Sequence, residues 1–454
     1  MDKLKLIENV DTIFTADSQG RELANAYVLV SGGVIAEIGE GPYTGRVPDE
    51  IYDGRDMVMI PGLINTHHHL YQTLFRNFKG VNSAKLFDWL TALYDRWAKV
   101  GEEAIYTSTV IGTAELLLSG ATTTSDHLYL FPGGNNQLFD AEIEAARQVG
   151  IRFHPTRGSM SLSREDGGLP PKEVVQTEDE ILAEYERVID EYHEEDKFSM
   201  LRVALSPCSP FSVSDELMKE TAELGRRKGV RLHTHLGETE DENQFCLEQV
   251  GLRPVDYMED LGWIGGDVWF AHLVHLSDDE IDRLSDANVG MSHCPSSNMR
   301  LGSGIAPVTR MKETEIDISF GVDGSASNDG SNMIKELRQG LLLQRVKYGP
   351  EALTPREVLQ FGTMGGARVL GREEEIGSIE PGKAADLVMV DLNRLEYAGG
   401  LSDPVSALIM CDTKGVDFTM VDGEVLVKGG RLVDEGLLDF IPKQNAIAQR
   451  FYSE

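Results

Sequence analysis

The sequence predicts an α/β chain: a (β/α)8 TIM barrel with a small β-sandwich domain formed from both termini. Three observations predict it. Eight short apolar segments recur through the middle of the chain, with amphipathic helical segments between them. Both ends read instead as strands and turns, and neither end alone has enough strands for a stable sandwich. Every histidine except His193 falls on or just after a strand-like segment. In such a barrel the C-terminal strand ends form the active face.

The elements follow in order. LKLIENVDTIFT, NAYVLVSGGVIAEIG and IYDGRDMVMI alternate or run apolar between Gly, Asp and Asn. ADLVMVDLN and FTMVDGEVLVKGGRLV read the same way at the other end, and Asp-Gly in MVDGEVLV signals a hairpin. Residues 1–58 together with 377–436 are therefore expected to form the small β domain. Residues 59–376 form the barrel, and 437–454 a C-terminal helical tail. The barrel strands are expected near 57–66, 120–127, 151–157, 201–207, 230–236, 268–273, 288–293 and 318–323. TEDEILAEYERVIDEYHEE, SDELMKETAELGRRKG and SDDEIDRLSDAN are helices between them, the last two opening on a cap residue and an acidic turn. The stretch from 70 to 119 is longer than one connection needs. Its aromatic helix LFDWLTALYDRW, placed after the first barrel strand, can cover the barrel mouth.

Composition narrows the function. The chain has 454 residues, with 42 basic against 75 acidic, a net charge of -33. Such a surface repels nucleic acid and anionic lipid, so neither is expected as a partner. The four cysteines, Cys208, Cys246, Cys294 and Cys411, form no CxxC pair, so neither a disulfide framework nor a cysteine zinc site is expected. MDKLKLIENVDTIF lacks the apolar run of a signal peptide, and no stretch approaches the ~18 apolar residues of a membrane span. A cytoplasmic location is the simplest expectation.

The histidines carry the chemistry. His67 and His69 follow the first barrel segment, and with a strand period of two they point to one side while His68 points away. Two such imidazoles can chelate one metal; without the strand-end placement the pair would read as a polar turn. His233 and His235 repeat the spacing on the fifth segment, and Glu238 follows. A carboxylic acid beside a metal-activated water is where a general acid or base belongs, although a lone Glu is often a cap or solvated. His272 ends the sixth segment and Asp323 the eighth. A carboxylate there binds something, since burial of an unpaired one is costly. His275 and His293 read as supporting or structural histidines.

PGLINTHHH, HTHLGE, AHLVH, SHCPSSN, GVDGSASND and the tail GSIEPGKAADLVMVDL together resemble the amidohydrolase superfamily in its aromatic-ring deaminase branch. The resemblance runs in order along nearly the whole chain. NTHHHLYQTL, SDHLYLFPGG, RGSMSLS, GGLPP, APVTRM and ALSPCSPFSVS look most like the bacterial 8-oxoguanine deaminases, with the hydroxyatrazine ethylaminohydrolases as neighbours. Gly237, followed by ETEDE, departs from the Ala that the nearest relatives usually carry.

The resemblance implies metal ligands His67, His69, His235 and Asp323, holding one divalent metal, zinc or alternatively iron. Two-metal hydrolases on such barrels often use a bridging carboxylated Lys, and no Lys lies between Lys99 and Lys172, which favours one ion. The resemblance also implies catalytic roles for Glu238, His272 and Asp323. Asp323 holds the attacking water and accepts its proton, Glu238 protonates the ring nitrogen, and His272 hydrogen-bonds the oxygen that develops charge. Gln72, Trp97 and Arg157 are the candidate substrate contacts: an amide for a purine edge, a ring for stacking, and a cation for a ring carbonyl. Trp89, Tyr94 and Tyr129 are further aromatic candidates.

The function expected is hydrolytic deamination of 8-oxoguanine to urate and ammonia. The alternative is an aminohydrolase of an s-triazine, a pterin or another small heteroaromatic amine. Ring opening of a cyclic amide fits poorly, because the bridging Lys is missing and Glu238 is present. A non-enzymatic metal scaffold leaves Glu238 and His272 without a reason. The partners expected are a small heteroaromatic substrate and further copies of the chain in a homo-oligomer.

Overall fold

The computed structural model describes residues 3–452. The ends of the expected terminal domain and of the C-terminal tail, 1–2 and 453–454, lie outside the described residues.

Eight parallel strands close a barrel: β1 (Leu63–Asn65), β2 (Ala121–Leu128), β3 (Arg152–Ser159), β4 (Ala204–Pro207), β5 (Leu232–Leu236), β6 (Val268–His272), β7 (Gly290–His293) and β8 (Asp317–Phe320). Each pairs with its neighbours in sequence, and Phe320 opposite Asn65 closes the ring. Parallel strands are covered on both faces, which is why they read as apolar runs without clean alternation. Helices return the chain outside the barrel, and several of them start on capped ends. Ser214 accepts from the Leu217 amide, and Thr177 and Ser277 each form a reciprocal capping box with the glutamate three residues on.

The remaining strands come from both ends of the chain and form one nine-stranded sheet. Leu4–Phe14, Glu22–Ser31, Val34–Glu40, Glu50–Asp53 and Met57–Pro61 join Leu387–Asp391, Phe418–Val421, Glu424–Lys428 and Arg431–Leu432. Ile7, Val28 and Val30 from the first group share an apolar cluster with Leu387, Met389, Phe418 and Met420 from the second. The Asp-Gly signal becomes a two-residue hairpin, with Asp422 and Gly423 both left-handed at φ 48° and 78°.

The expected first barrel strand, 57–66, splits. Met57–Pro61 pairs with Leu387–Asp391 in the terminal sheet, and only Leu63–Asn65 enters the barrel. Gly62 makes the transfer where a Cβ would meet the Thr122 hydroxyl at 1.9 Å, an approach only glycine permits. The aromatic stretch is the helix Leu86–Trp97, and Glu102–Leu118 follows it. The C-terminal helix Phe440–Tyr452 packs on both the latter and the turn after β1, with Phe75 and Phe451 ring centroids 4.9 Å apart. No helix among the described residues is long and apolar enough to cross a membrane.

Candidate active site

The C-terminal strand ends gather the titratable groups. His67 and His69 follow β1, His235 lies on β5, His272 ends β6, and Asp323 follows β8. His67 and His69 each place Nε2 3.4 Å from Asp323 Oδ1, and His69 Nε2 lies 3.1 Å from His235 Nε2. Closure of the barrel therefore brings together residues up to 256 positions apart in sequence, which local pattern alone cannot do.

The donor chemistry fits a cation. His69 Nδ1 lies 2.8 Å from the His127 carbonyl, and His235 Nδ1 2.5 Å from the Cys208 carbonyl. A carbonyl only accepts, so both imidazoles carry their proton on Nδ1 and turn a bare Nε2 inward. Two bare nitrogens 3.1 Å apart repel unless a positive ion lies against both. His67 Nε2, fully buried and without a hydrogen-bond partner, faces the same point. Three nitrogens and a carboxylate oxygen suit zinc and equally iron.

Burial pushes His67 well below its ordinary range, His69 down to about 4 and His272 down to about 3, so all three are neutral ring donors or acceptors. Two carboxyls are pushed apart. Burial, reinforced by Asp323 and Glu242, holds Glu238 well above its usual value. Burial acts upward on Asp323 as well, but its place among the rings of His67, His69 and His272 holds it well below its usual value. His272 stands between them, with Nε2 3.5 Å from Glu238 Oε2 and 3.9 Å from Asp323 Oδ2.

The backbone here is strained. His272, Leu273 and Asp323 are left-handed at φ 79°, 46° and 60°, a region non-glycine residues seldom adopt. Main-chain bonds hold them there: the Asp323 amide donates to the His67 carbonyl at 3.1 Å, and the Leu273 amide to the Leu236 carbonyl at 3.0 Å. Gly237 at φ +63° turns the chain after β5 so that Glu238 faces the cluster. A Cβ at Gly237 would have room, so an alanine there is opposed by its dihedral and not by crowding.

Residues 58–426 match the Amidohydrolase family. The chain belongs to the amidohydrolase family. This amidohydrolase is 46% identical over 442 residues to the 8-oxoguanine deaminase of Pseudomonas aeruginosa, covering 97% of this chain and 98% of that one. It is 36% identical to the hydroxydechloroatrazine ethylaminohydrolase of Pseudomonas sp. strain ADP, over 92% of this chain and 89% of that one. It superimposes on the atrazine chlorohydrolase of Arthrobacter aurescens TC1 complexed with zinc with a TM-score of 0.94 at 34% identity, covering 98% and 100% of the two chains.

A narrow cavity opens over the cluster of this amidohydrolase. His69, His235, Glu238, His272 and Asp323 form its floor, while Gln72, Trp89, Tyr94, Tyr129, Cys208 and Phe211 belong to its walls. Gln72, the first of the substrate candidates, is therefore at the cavity, and its Oε1 is buried without a partner.

Trp97 and Arg157 are elsewhere, contrary to expectation. Trp97 is fully buried behind the wall, against Tyr71 and Trp89 with ring centroids 5.4 and 5.3 Å away. The helix turns its Trp89 and Tyr94 face, not Trp97, to the cavity. Arg157 spends its guanidinium on Asn136 Oδ1 and Gln176 Oε1, each at 2.9 Å, and on the Gly158 carbonyl, while stacking 3.3 Å from the Phe131 ring centre. Burial even lowers it to about 10. It is a fixed structural cation at the strand end, not a free one.

The sequence reading missed three supports. Asn298 Nδ2 lies 3.0 Å from His272 Nδ1, and its motif SHCPSSN had been noticed without a role for the Asn. The Ser303 hydroxyl is directed at Glu238 Oε1, 3.5 Å away. Buried Glu242 accepts from the Gly237 and Glu238 amides at 2.9 and 2.8 Å and so clamps the turn that carries Glu238. The pattern Thr239-x-x-Glu242, a helix start directly after Glu238, was the available signal.

Proposed function

We propose that this amidohydrolase deaminates 8-oxoguanine to urate and ammonia, using His67, His69, His235 and Asp323 to hold one divalent metal, with zinc first and iron as the alternative. The observation that carries the chemistry is the divergence of two carboxyls at one cavity: burial holds Glu238 well above the usual carboxyl range, while Asp323 lies well below it. A pair driven apart in this way is a ready general acid and general base. When bound, the metal lowers the pKa of a water and polarises the carbon it attacks.

The chain's own groups do the rest. Asp323 accepts the proton of the attacking water. Glu238 delivers a proton to the ring nitrogen next to the attacked carbon. His272, held by Asn298, faces the oxygen on which negative charge develops. Asp323 then gives the proton it took to the amino group, the C–N bond breaks and ammonia leaves, and Glu238 takes up the hydroxyl proton as the C=O bond forms, so both carboxyls return to their starting states.

The substrate reading rests on the 46% relative and on the polar walls. Gln72 Oε1, Trp89 Nε1 and Tyr94 OH are buried at the cavity without partners. Such atoms favour a flat ring with polar edges and disfavour one that cannot bond them. A free base as substrate also suits a chain of net charge -33, which has no use for nucleic acid or membrane. A cytoplasmic homo-oligomer remains part of this reading.

The test is a side-by-side kcat/KM panel of 8-oxoguanine, guanine, isoxanthopterin and hydroxydechloroatrazine. 8-Oxoguanine should lead, with guanine lower by about tenfold or more, the scale of one lost buried hydrogen bond. A lead for the triazine, the ring of the 36% relative and of the zinc-bound neighbour, would overturn the substrate and leave the chemistry. Reconstituted protein should plateau near one metal per chain; a plateau at two with activity following the second ion would overturn the single-metal reading.

A further inference from the structure

His233 shares its strand and its spacing with His235, yet it does a different job. It is completely buried one layer below the cluster, and its ring stacks on Trp269 with centroids 4.4 Å apart and planes 14° apart. His233 Nδ1 lies 2.9 Å from the Trp269 carbonyl, and His233 Nε2 lies 2.8 Å from His67 Nδ1. The Trp269 indole N–H in turn donates to the Thr66 carbonyl at 3.1 Å, on the residue before His67.

These contacts fix every proton in the chain. The Trp269 carbonyl can only accept, so His233 carries its proton on Nδ1. A neutral imidazole has one proton, so His233 Nε2 is an acceptor. His67 Nδ1 must then be the donor, which leaves His67 Nε2 bare. His69 and His235 have this done by main-chain carbonyls. At His67 an imidazole stands in for the carbonyl.

We infer that His233 is a positioning residue for metal binding: it sets the tautomer and the ring plane of His67, so that Nε2 faces His69, His235 and Asp323. The inference rests on the proposed role of His67 as a ligand. His233 is not a ligand of the same ion, because its inward nitrogen is committed to His67. The alternative tautomer of His233 would turn a bare Nδ1 against the Trp269 carbonyl oxygen and leave that buried oxygen without its donor, which disfavours it. Groups that orient a ligating imidazole through its second nitrogen typically change metal affinity by about 10- to 100-fold when removed.

The experiment measures zinc affinity of the metal-free full-length protein by competition with a chromogenic chelator. His233→Phe keeps a ring on Trp269 but has no acceptor. It should bind zinc about 10- to 100-fold more weakly, with the metal-free protein still unfolding cooperatively. His233→Gln returns an acceptor oxygen near the Nε2 position and should recover most of the loss. Cobalt(II) absorption should shift in His233→Phe and return in His233→Gln. Should His233→Phe fail to fold, His233→Gln against His233→Met, similar in length and differing in the acceptor, gives the same comparison. His233→Phe that binds zinc as wild type does, while His67→Ala loses it, overturns the inference alone. So does His233→Gln binding no better than the variant without an acceptor. His67→Ala that binds zinc normally overturns instead the assignment of His67 as a ligand.

Discussion

The two ends of the barrel treat buried polar groups in opposite ways. At the N-terminal end, Arg152 opens β3 with a side chain that is completely buried. Nε and Nη2 make a two-pronged bond to Asp386 at 3.0 and 3.1 Å, and Nη1 donates to the carbonyls of Phe198 and Ser199 at 2.6 and 2.9 Å. Asp386 precedes the strand Leu387–Asp391, so this pair ties the barrel to the terminal sheet. At the C-terminal end, five residues along the same strand and beyond, His67 Nε2, Gln72 Oε1, Trp89 Nε1 and Tyr94 OH have no partner. At one end the Arg152–Asp386 pair holds the fold together. The other gathers unanswered polar atoms around one cavity, the signature of a surface completed by something that binds.

The comparison can be broken at either end. The largest effect is expected at the mouth. Glu238→Gln keeps the shape and removes the proton, so turnover should fall by roughly 10²- to 10⁴-fold while metal content and unfolding midpoint hold. Turnover near wild type would remove Glu238 from the chemistry. At the other end, Asp386→Ala leaves Arg152 buried without its carboxylate and should cost about 3–5 kcal/mol of stability. Denaturant unfolding reads the loss, and kcat/KM of the surviving folded fraction should stay unchanged. A loss of activity without a loss of stability would erase the division of labour between the two ends.

A smaller effect sharpens it. Burial raises the Glu242 carboxyl from its usual 4.5 to about 7. Between those values the folded chain keeps a proton that the unfolded chain releases. This contribution is therefore full below about pH 4.5 and is lost as the pH rises to about 7, at most about 3 kcal/mol. Glu242→Gln cannot titrate, so stability curves of metal-free wild type and variant should converge or cross over that window. Parallel curves would show that Glu242 is ionised throughout.

Much of this was legible in the sequence because it follows from local rules. The beat of apolar segments gives a barrel, and Asp422-Gly423 gives a hairpin. Thr177, Ser214 and Ser277 start helices because their oxygens answer free amides. The strand ends with His67, His69, His235, His272 and Asp323 were visible because a strand period of two and the barrel rule place them on one face. Met57–Pro61 was misplaced because an apolar strand reads the same in either sheet.

What the sequence determined by itself is which residue types arrive at the mouth. What the tertiary structure decided is depth, direction and protonation. His233 and His235 have the same spacing and the same face, but closure of the barrel puts one beneath the cluster and the other on the cavity floor. Trp89 and Trp97 lie on one helix, and only its docking angle selects Trp89 for the cavity. Arg157 reaches a strand end and is then captured by Asn136 and Gln176, which approach from other elements. At His67, His69 and His235 the nitrogen that carries the proton is chosen by an imidazole or a carbonyl distant in sequence. These choices depend on contacts between segments that meet only when the barrel has closed, and no local periodicity encodes them.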